Sequence, residues 1–361
     1  MRMVLTALHI EGASVMRRIV AILCLLTVSS FSLTAVREAH ANASCEICIT
    51  RAVDYLASRF NPVLGLIYES DDPGNHWLRD EFHDFKWRYR QTYWLYSDNL
   101  FAAYALEPFR PDLTNRIMRA LQRYQVPPSG LFEIVAGDTI PTIRNAVDYI
   151  VDSSSDFVIM ARRHDSPIIS YGLYADLICY RSLQMFLQGR IREAHRSLRQ
   201  AISLWNGKGL DDWSYRLVDG YHSNQKLALL LYTSRILGLG FASYAEMERH
   251  LWGMQRADGG LASLSDSEGR PMGSSNAETT ALTLLIYNND LVHTVRSRVQ
   301  SLEGSFVEFY LMSFTFLSVT AAAFLSSRKR GFFRFAENRQ EKGHRIARRP
   351  EPLKEVTCKI S

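Results

Sequence analysis

Little in this chain could build a disulfide scaffold: five cysteines are spread over 361 residues, and Cys24 and Cys358 lie in the terminal segments. Cys45-Glu46-Ile47-Cys48 is a CxxC pair without the second pair that a four-ligand zinc site requires. A local bridge and simple packing are both open for it, while a redox role lacks the βαβ pattern that would support it. The sequence has no GxSxG elbow, no HExxH and no Walker glycine loop, so serine-hydrolase, zincin and P-loop chemistry lack their machinery. Histidines 164, 222, 250 and 293 are scattered, and neither a metal nor a cofactor is expected. Positive charge is also missing from the main body. Residues 42–305 carry 27 Lys+Arg against 30 Asp+Glu, whereas residues 328–361 carry 11 against 4. The net charge of +5 is therefore the property of a short tail. Nucleic acid is not expected as a partner, because binding it needs basic surface to replace phosphate counterions.

Long apolar runs are scarce too, and the two present read as targeting signals. Arg17 and Arg18 precede the apolar stretch Ile19–Leu33, and Ala39-His40-Ala41 fits the small-x-small pattern of signal-peptidase cleavage. Residues 1–41 are expected to be a signal peptide, with Met1 and Met16 both open as the start. Phe309–Leu325 is a run of 17 residues without charge, bounded by Glu308 and by Arg328-Lys329-Arg330. It is expected to form one transmembrane helix within 306–327, with the basic tail 328–361 cytoplasmic. That arrangement implies the cell membrane as location, the lipid bilayer as partner, and residues 42–305 as an extracytoplasmic domain. Asn42-Ala43-Ser44 is a glycosylation sequon, relevant in a glycosylating host.

Between these signals, helical spacing dominates. Apolar residues recur at helical intervals over 47–60, 93–106, 113–124, 171–187, 191–205, 222–239, 244–255 and 276–287. The stretch 143–163 differs: β-branched runs surround Asp152-Ser153-Ser154-Ser155, predicting a β-hairpin. A Gly-Leu turn follows a helical segment four times, at Gly65-Leu66, Gly130-Leu131, Gly209-Leu210 and Gly260-Leu261. Glycine there can adopt the left-handed conformation that ends a helix, and the leucine can turn back into the core. Polar clusters then open apolar helices: Ser97-Asp98-Asn99, Ser223-Asn224-Gln225-Lys226 and Ser275-Asn276-Ala277-Glu278, with Ala175-Asp176-Leu177 as a diverged copy.

This alternation predicts an all-α fold, an α/α toroid of helical hairpins with a small β-hairpin insertion and the C-terminal transmembrane helix. The segment Met254–Asn288, MQRADGGLASLSDSEGRPMGSSNAETTALTLLIYN, resembles the Gln-x-x-Asp-Gly-Gly repeat of the terpenoid cyclase and protein prenyltransferase toroids. WNGKGLDDW is similar to α/α toroids that process glycans. The resemblance implies architecture. The chain has neither DDxxD nor DxDD, so terpene-cyclase chemistry lacks its acids, and no Asp-Cys-His zinc set stands out for prenyl transfer.

In such an array the polar helix starts converge on one mouth. Asp98 and Glu278 are the expected catalytic carboxylates, with Glu69 and Asp212 in reserve. Tyr93, Trp94, Asn99, Asp176, Trp213, Tyr221, His222, Asn224 and Asn276 are the expected ligand-binding residues. Paired carboxylates beside aromatic platforms suit sugar binding and glycoside cleavage, where one carboxyl protonates the leaving oxygen and the other attacks or activates water. Asp, Ser and Asn also open helices as simple caps. The expected function is therefore carbohydrate binding or cleavage, with a non-catalytic receptor or interaction domain as the rival. Lyase chemistry on acidic sugars, with Tyr and His as acid and base, is a variant.

Overall fold

Two lengths of buried stripe sort the helices. The computed structural model describes residues 46–70, 90–125, 127–168, 171–217 and 220–299. The chain separates into the units Met1–Val299 and Gln300–Ser361, and the second lies outside the described residues. Helix α1 runs through residues 46–58, with Ala52, Val53 and Leu56 buried at helical spacing. Helix α2 is Phe101–Leu106, entered through a π-helical turn at Leu95–Leu100. Helix α3 is Pro111–Tyr124, with proline in its first turn, where the missing N–H is harmless. Helices α4 (Ala175–Leu187), α5 (Ile191–Ile202), α6 (Trp213–Leu217), α7 (Asn224–Leu237), α8 (Tyr244–Trp252) and α9 (Ala277–Leu285) follow. A last helix, α10, spans residues 289–299.

Helices α3 and α5 each bury three residues at i, i+4 and i+7: Leu113, Ile117 and Ala120 in one, Ala194, Leu198 and Ala201 in the other. One narrow apolar stripe makes them outer helices. By contrast α4, α7 and α9 are buried on nearly all sides, leaving only scattered polar positions. They pack side by side in the order α4, α7, α9, α2, while α5, α8 and α3 cover α4, α7 and α2.

The expectation of an all-α toroid is corrected, because three small sheets accompany the helices. Strands β1 (Phe60–Asn61) and β2 (Leu66–Ile67) pair around the first Gly-Leu turn. Strands β3 (Gln91–Trp94), β4 (Arg144–Ser153) and β5 (Phe157–Pro167) form a sheet in the order β3-β5-β4. The hairpin expected at 143–163 is thus β4–β5, but β3 joins it in parallel. Tyr93 and Trp94, expected at the start of a helix, lie in that strand. Strands β6 (His222–Ser223), β7 (Leu261–Ser265) and β8 (Pro271–Asn276) make the third sheet. No strand was expected at the last two, because small polar residues mask the alternation there. Among the described residues no helix is long and apolar enough to cross a membrane. The expected transmembrane run Phe309–Leu325, the leader 1–41 and Cys45 lie outside the described residues.

All four leucines of the Gly-Leu turns are buried. Gly65 and Gly130 have positive φ, at 74° and 68°, as the turn chemistry requires. At Gly209 the reason for glycine differs. A Cβ there would stand 2.2 Å from the His222 ring, so the residue is small because the imidazole passes over it.

Candidate functional site

Strand-to-helix junctions gather the polar residues at one end of the buried helices. Strand β3 feeds the Leu95–Leu100 turn, β6 feeds α7, and β8 feeds α9. Because β7 lies between β6 and β8, the N-terminal ends of α7 and α9 are held together. Ser223 Oγ accepts from Lys226 N at 3.5 Å, and Asn276 Oδ1 accepts from Thr279 N at 3.0 Å. Both are side-chain caps for otherwise unsatisfied amides. Glu69 ties β3 to α9: its N–H donates to Thr92 O at 2.9 Å, and Ala277 N–H donates to Glu69 O at 2.8 Å.

Around Glu69 and Glu278 a mixed polar cluster forms. The Trp94 indole N–H donates to Glu69 Oε2 at 3.0 Å, and Asn276 Nδ2 contacts Glu69 Oε1 at 3.5 Å. The Gln225 amide donates to Glu278 Oε1 at 2.5 Å. Arg162 comes from the sheet. Trp94 is the cross-strand partner of Met160, so Arg162, two residues further along β5, falls on the same face. Its guanidinium lies 5.4 Å from the Trp94 ring centre and 5.3 Å from that of Phe132. It also donates to Asp148, its cross-strand neighbour, at 2.6 Å, and interacts electrostatically with Glu278. Tyr180, one turn beyond Asp176 on α4, is buried, and burial together with the Glu278 and Asp176 charges pushes its phenol well above the ordinary tyrosine range.

A second cluster adjoins the first through Lys226, the chain neighbour of Gln225. Lys226 Nζ donates to Asp212 Oδ2 at 2.7 Å and to Ser214 Oγ at 2.6 Å, and lies 3.5 Å from Asp176 Oδ1. Asp212 is 4% exposed and also accepts from Ala175 N at 3.0 Å and Tyr215 N at 3.2 Å. It thereby caps the starts of both α4 and α6. The Ser214 hydroxyl thus shares the Lys226 amine with two carboxylates.

Several expected ligand-binding residues are occupied by chain contacts. Asn99 is fully buried; its amide donates to Ile67 O at 2.9 Å and Trp94 O at 2.8 Å, and it accepts from Ile67 N at 2.7 Å. Asn224 repeats the device, donating to Ala262 O at 2.9 Å and accepting from Ser265 Oγ at 3.2 Å. In each case the asparagine at a helix start grips the backbone just after a Gly-Leu turn. Replacing Asn99 by alanine takes a partner from three buried backbone groups and is expected to cost about 2–3 kcal/mol. Urea unfolding of Asn99→Ala measures it; a loss below about 0.5 kcal/mol would show that the clamp carries no net stability. Tyr93 is fully buried, its hydroxyl bonded to Gln91 and Asn61, and burial pushes it up to about 12. Asp98 is 1% exposed and accepts from Ser97 Oγ at 3.0 Å. Glu69, Asn276 and Glu278 are half-buried, as are Asp176 and Tyr221, and Trp213 is exposed.

No protein family, no curated protein and no solved structure matches this chain. Function is therefore argued from the site alone. Sequence reasoning did not count Tyr180, Gln225 and Ser214 among the site residues, and it reads Arg162 with Arg163 and His164 as a solvated edge or a holder of an acidic group. Arg162 could be found only through strand pairing, and Tyr180 sits in an apolar helix where tyrosine reads as core. Among the described residues no group of three or more His, Cys, Asp or Glu could hold a metal ion.

His222, an expected ligand residue, lies under the rim. It is 1% exposed, stacked on Tyr215 with ring centres 4.0 Å apart, and its Nδ1 faces Leu210 O at 3.3 Å. His250 packs edge-on to Trp205. Burial lowers the proton affinity of both rings; Lys208 adds to this at His222 and His222 adds to it at His250, while Asp211, Asp212 and Glu246 oppose it. The unfolded chain takes up these protons near pH 6.5 and the fold does not. Stability is thus full above about pH 6.5 and falls as the pH drops toward the folded values, by at most about 1.4 kcal/mol per pH unit for each histidine. Urea midpoints from pH 7.5 to 5 should show this slope, and His250→Gln should reduce it. A flat profile would sink the expectation.

Proposed function

We propose that the Glu69–Glu278 end of the buried helices binds a carbohydrate and cleaves its glycosidic bond. One observation carries the reading. Two half-buried carboxylates flank the start of α9, beside an indole, a guanidinium and two side-chain amides that hydrogen bonds hold in place. Glycoside cleavage needs two carboxyl groups in an open site, and sugar hydroxyls need amides and carboxylates at fixed positions. Glu278, beside the Arg162 charge and accepting from Gln225, suits the base or nucleophile. Glu69, oriented by the Trp94 and Asn276 donors, is the second carboxyl of the pair. Asp98, enclosed beneath Ser97, gives up that place and supports the turn instead.

The charge balance selects the substrate class. The two clusters hold the carboxylates Glu69, Asp148, Asp176, Asp212 and Glu278 against the cations Arg162 and Lys226. Both cations already have carboxylate partners. An excess of negative charge opposes a uronic acid and favours a neutral sugar. Export through the N-terminal leader belongs to the same proposal, carried by the sequence pattern at 17–41.

The test is a thermal-shift and turnover screen of the full-length protein against neutral oligosaccharides, uronic-acid oligosaccharides and isoprenoid lipids. A shift with a neutral saccharide, and released reducing ends, supports the reading. A saccharide shift without turnover points to the rival, a non-catalytic binding domain. No saccharide shift at all would overturn it.

A further inference from the structure

Trp213 is placed as a ligand platform would be. Among the described tryptophans, Trp94 is 8% exposed and Trp205 and Trp252 are half-buried, but Trp213 is 41% exposed. Beside it, Leu173 is 44% exposed. These side chains come from separate segments joined by a hydrogen bond from Trp213 N to Leu173 O at 2.9 Å. Among the described residues Trp213 stacks on no other ring.

The mount beneath this exposed pair is firm. The preceding residue, Asp212, is the buried carboxylate that accepts from Lys226, Ala175 and Tyr215. Tyr174, next to Leu173, carries the Lys226 ammonium 5.3 Å from its ring centre. An indole left in solvent on so rigid a base gives apolar area without the entropy loss of ordering a flexible loop when a ligand binds. The platform stands at the same end of the buried helices as the proposed site, since Asp212 caps the starts of α4 and α6 and Gln225 lies in the first turn of α7. From Trp213 the connection runs through Asp212 to Lys226, then one residue along α7 to Gln225, which bonds Glu278.

We propose that Trp213 and Leu173 form a second sugar subsite, stacking the apolar face of a further unit of an oligosaccharide whose scissile bond lies at Glu69 and Glu278. This rests on the carbohydrate reading above. The indole takes the broad face of a pyranose ring, Leu173 covers its edge, and no charged side chain stands in the platform itself. The protein therefore takes chains of several neutral sugar units rather than single sugars, and the platform distinguishes the two lengths.

The experiment is calorimetric titration of the full-length protein and of Trp213→Ala with a β-1,4-linked glucose tetramer, an N-acetylglucosamine tetramer and the two monosaccharides. Removal of the indole is expected to weaken tetramer binding about tenfold, to leave monosaccharide binding unchanged, and to be largely rescued by Trp213→Phe. An unchanged melting temperature shows that the variant is folded. Tetramer affinity equal to that of the unmodified protein overturns the subsite and leaves the carbohydrate reading intact. Equal losses for tetramer and monosaccharide overturn it as well, since they place Trp213 in the first site. If the unmodified protein binds none of these sugars while retaining a neutral-sugar shift in the screen above, the linkage is wrong and the subsite as stated falls. If no saccharide binds at all, both proposals fall together.

Discussion

Replacing Lys226 by methionine is expected to lower the unfolding free energy by about 3–5 kcal/mol. The side chain of Asp212 is 3% exposed and that of Lys226 is 12% exposed, so water does little to screen the pair. Methionine fills similar volume but leaves a buried carboxylate with only the Ala175 and Tyr215 amides to hold its charge. The size of the effect comes from that stranded charge rather than from the worth of the pair itself. The double variant Asp212→Asn with Lys226→Met is therefore expected to regain part of the loss, since asparagine carries no charge and its one carbonyl oxygen still accepts from one of the two amides. Denaturant midpoints of the two single variants and the double variant give the coupling directly. A single-variant loss below about 1 kcal/mol would show that the pair behaves as a surface ion pair.

Glu278→Gln is expected to reduce turnover by about 10²–10⁴-fold, the range for losing one acid–base group. The amide keeps nearly the same shape and can still accept from Gln225, so saccharide binding should change far less. Glu69→Gln should behave alike, and its Trp94 contact can persist because an amide oxygen also accepts from the indole. Asp98→Asn is the contrasting variant: with its carboxyl enclosed at 1% exposure, it should lose stability before it loses selectivity for substrate. Steady-state rates and melting temperatures of the three variants separate these outcomes. Equal turnover in Glu278→Gln and the unmodified protein would remove Glu278 from the chemistry.

Much of the frame was legible in order along the chain. The three-residue stripes of α3 and α5 and the all-round apolar runs of α4 and α7 follow from 3.6-residue spacing. The Gly-Leu turns were visible because a buried leucine after a permissive glycine is a local device. The polar helix starts were legible too, but their roles were not. Asn99 and Asn224 looked like ligand residues and are clamps on Ile67 and Ala262. A side chain's partner across more than thirty residues leaves no trace in its own neighbourhood of sequence.

The same limit explains the strands. LASLS and PMGSSN carry too few branched or aromatic residues to announce β7 and β8, and pairing with His222–Ser223 supplies what propensity does not. Sequence alone determined most of the segments that coil and that charge is absent from the interior of α7 and α9, because each depends on spacing within a few turns. Tertiary structure alone decided that Glu69 stands half-open while Asp98 is sealed. It also decided that Arg162 lies over Trp94 and that Trp213 remains in solvent. Exposure and cross-strand neighbours are set by which distant surfaces meet, and a carboxylate's chemistry follows from what those surfaces leave uncovered.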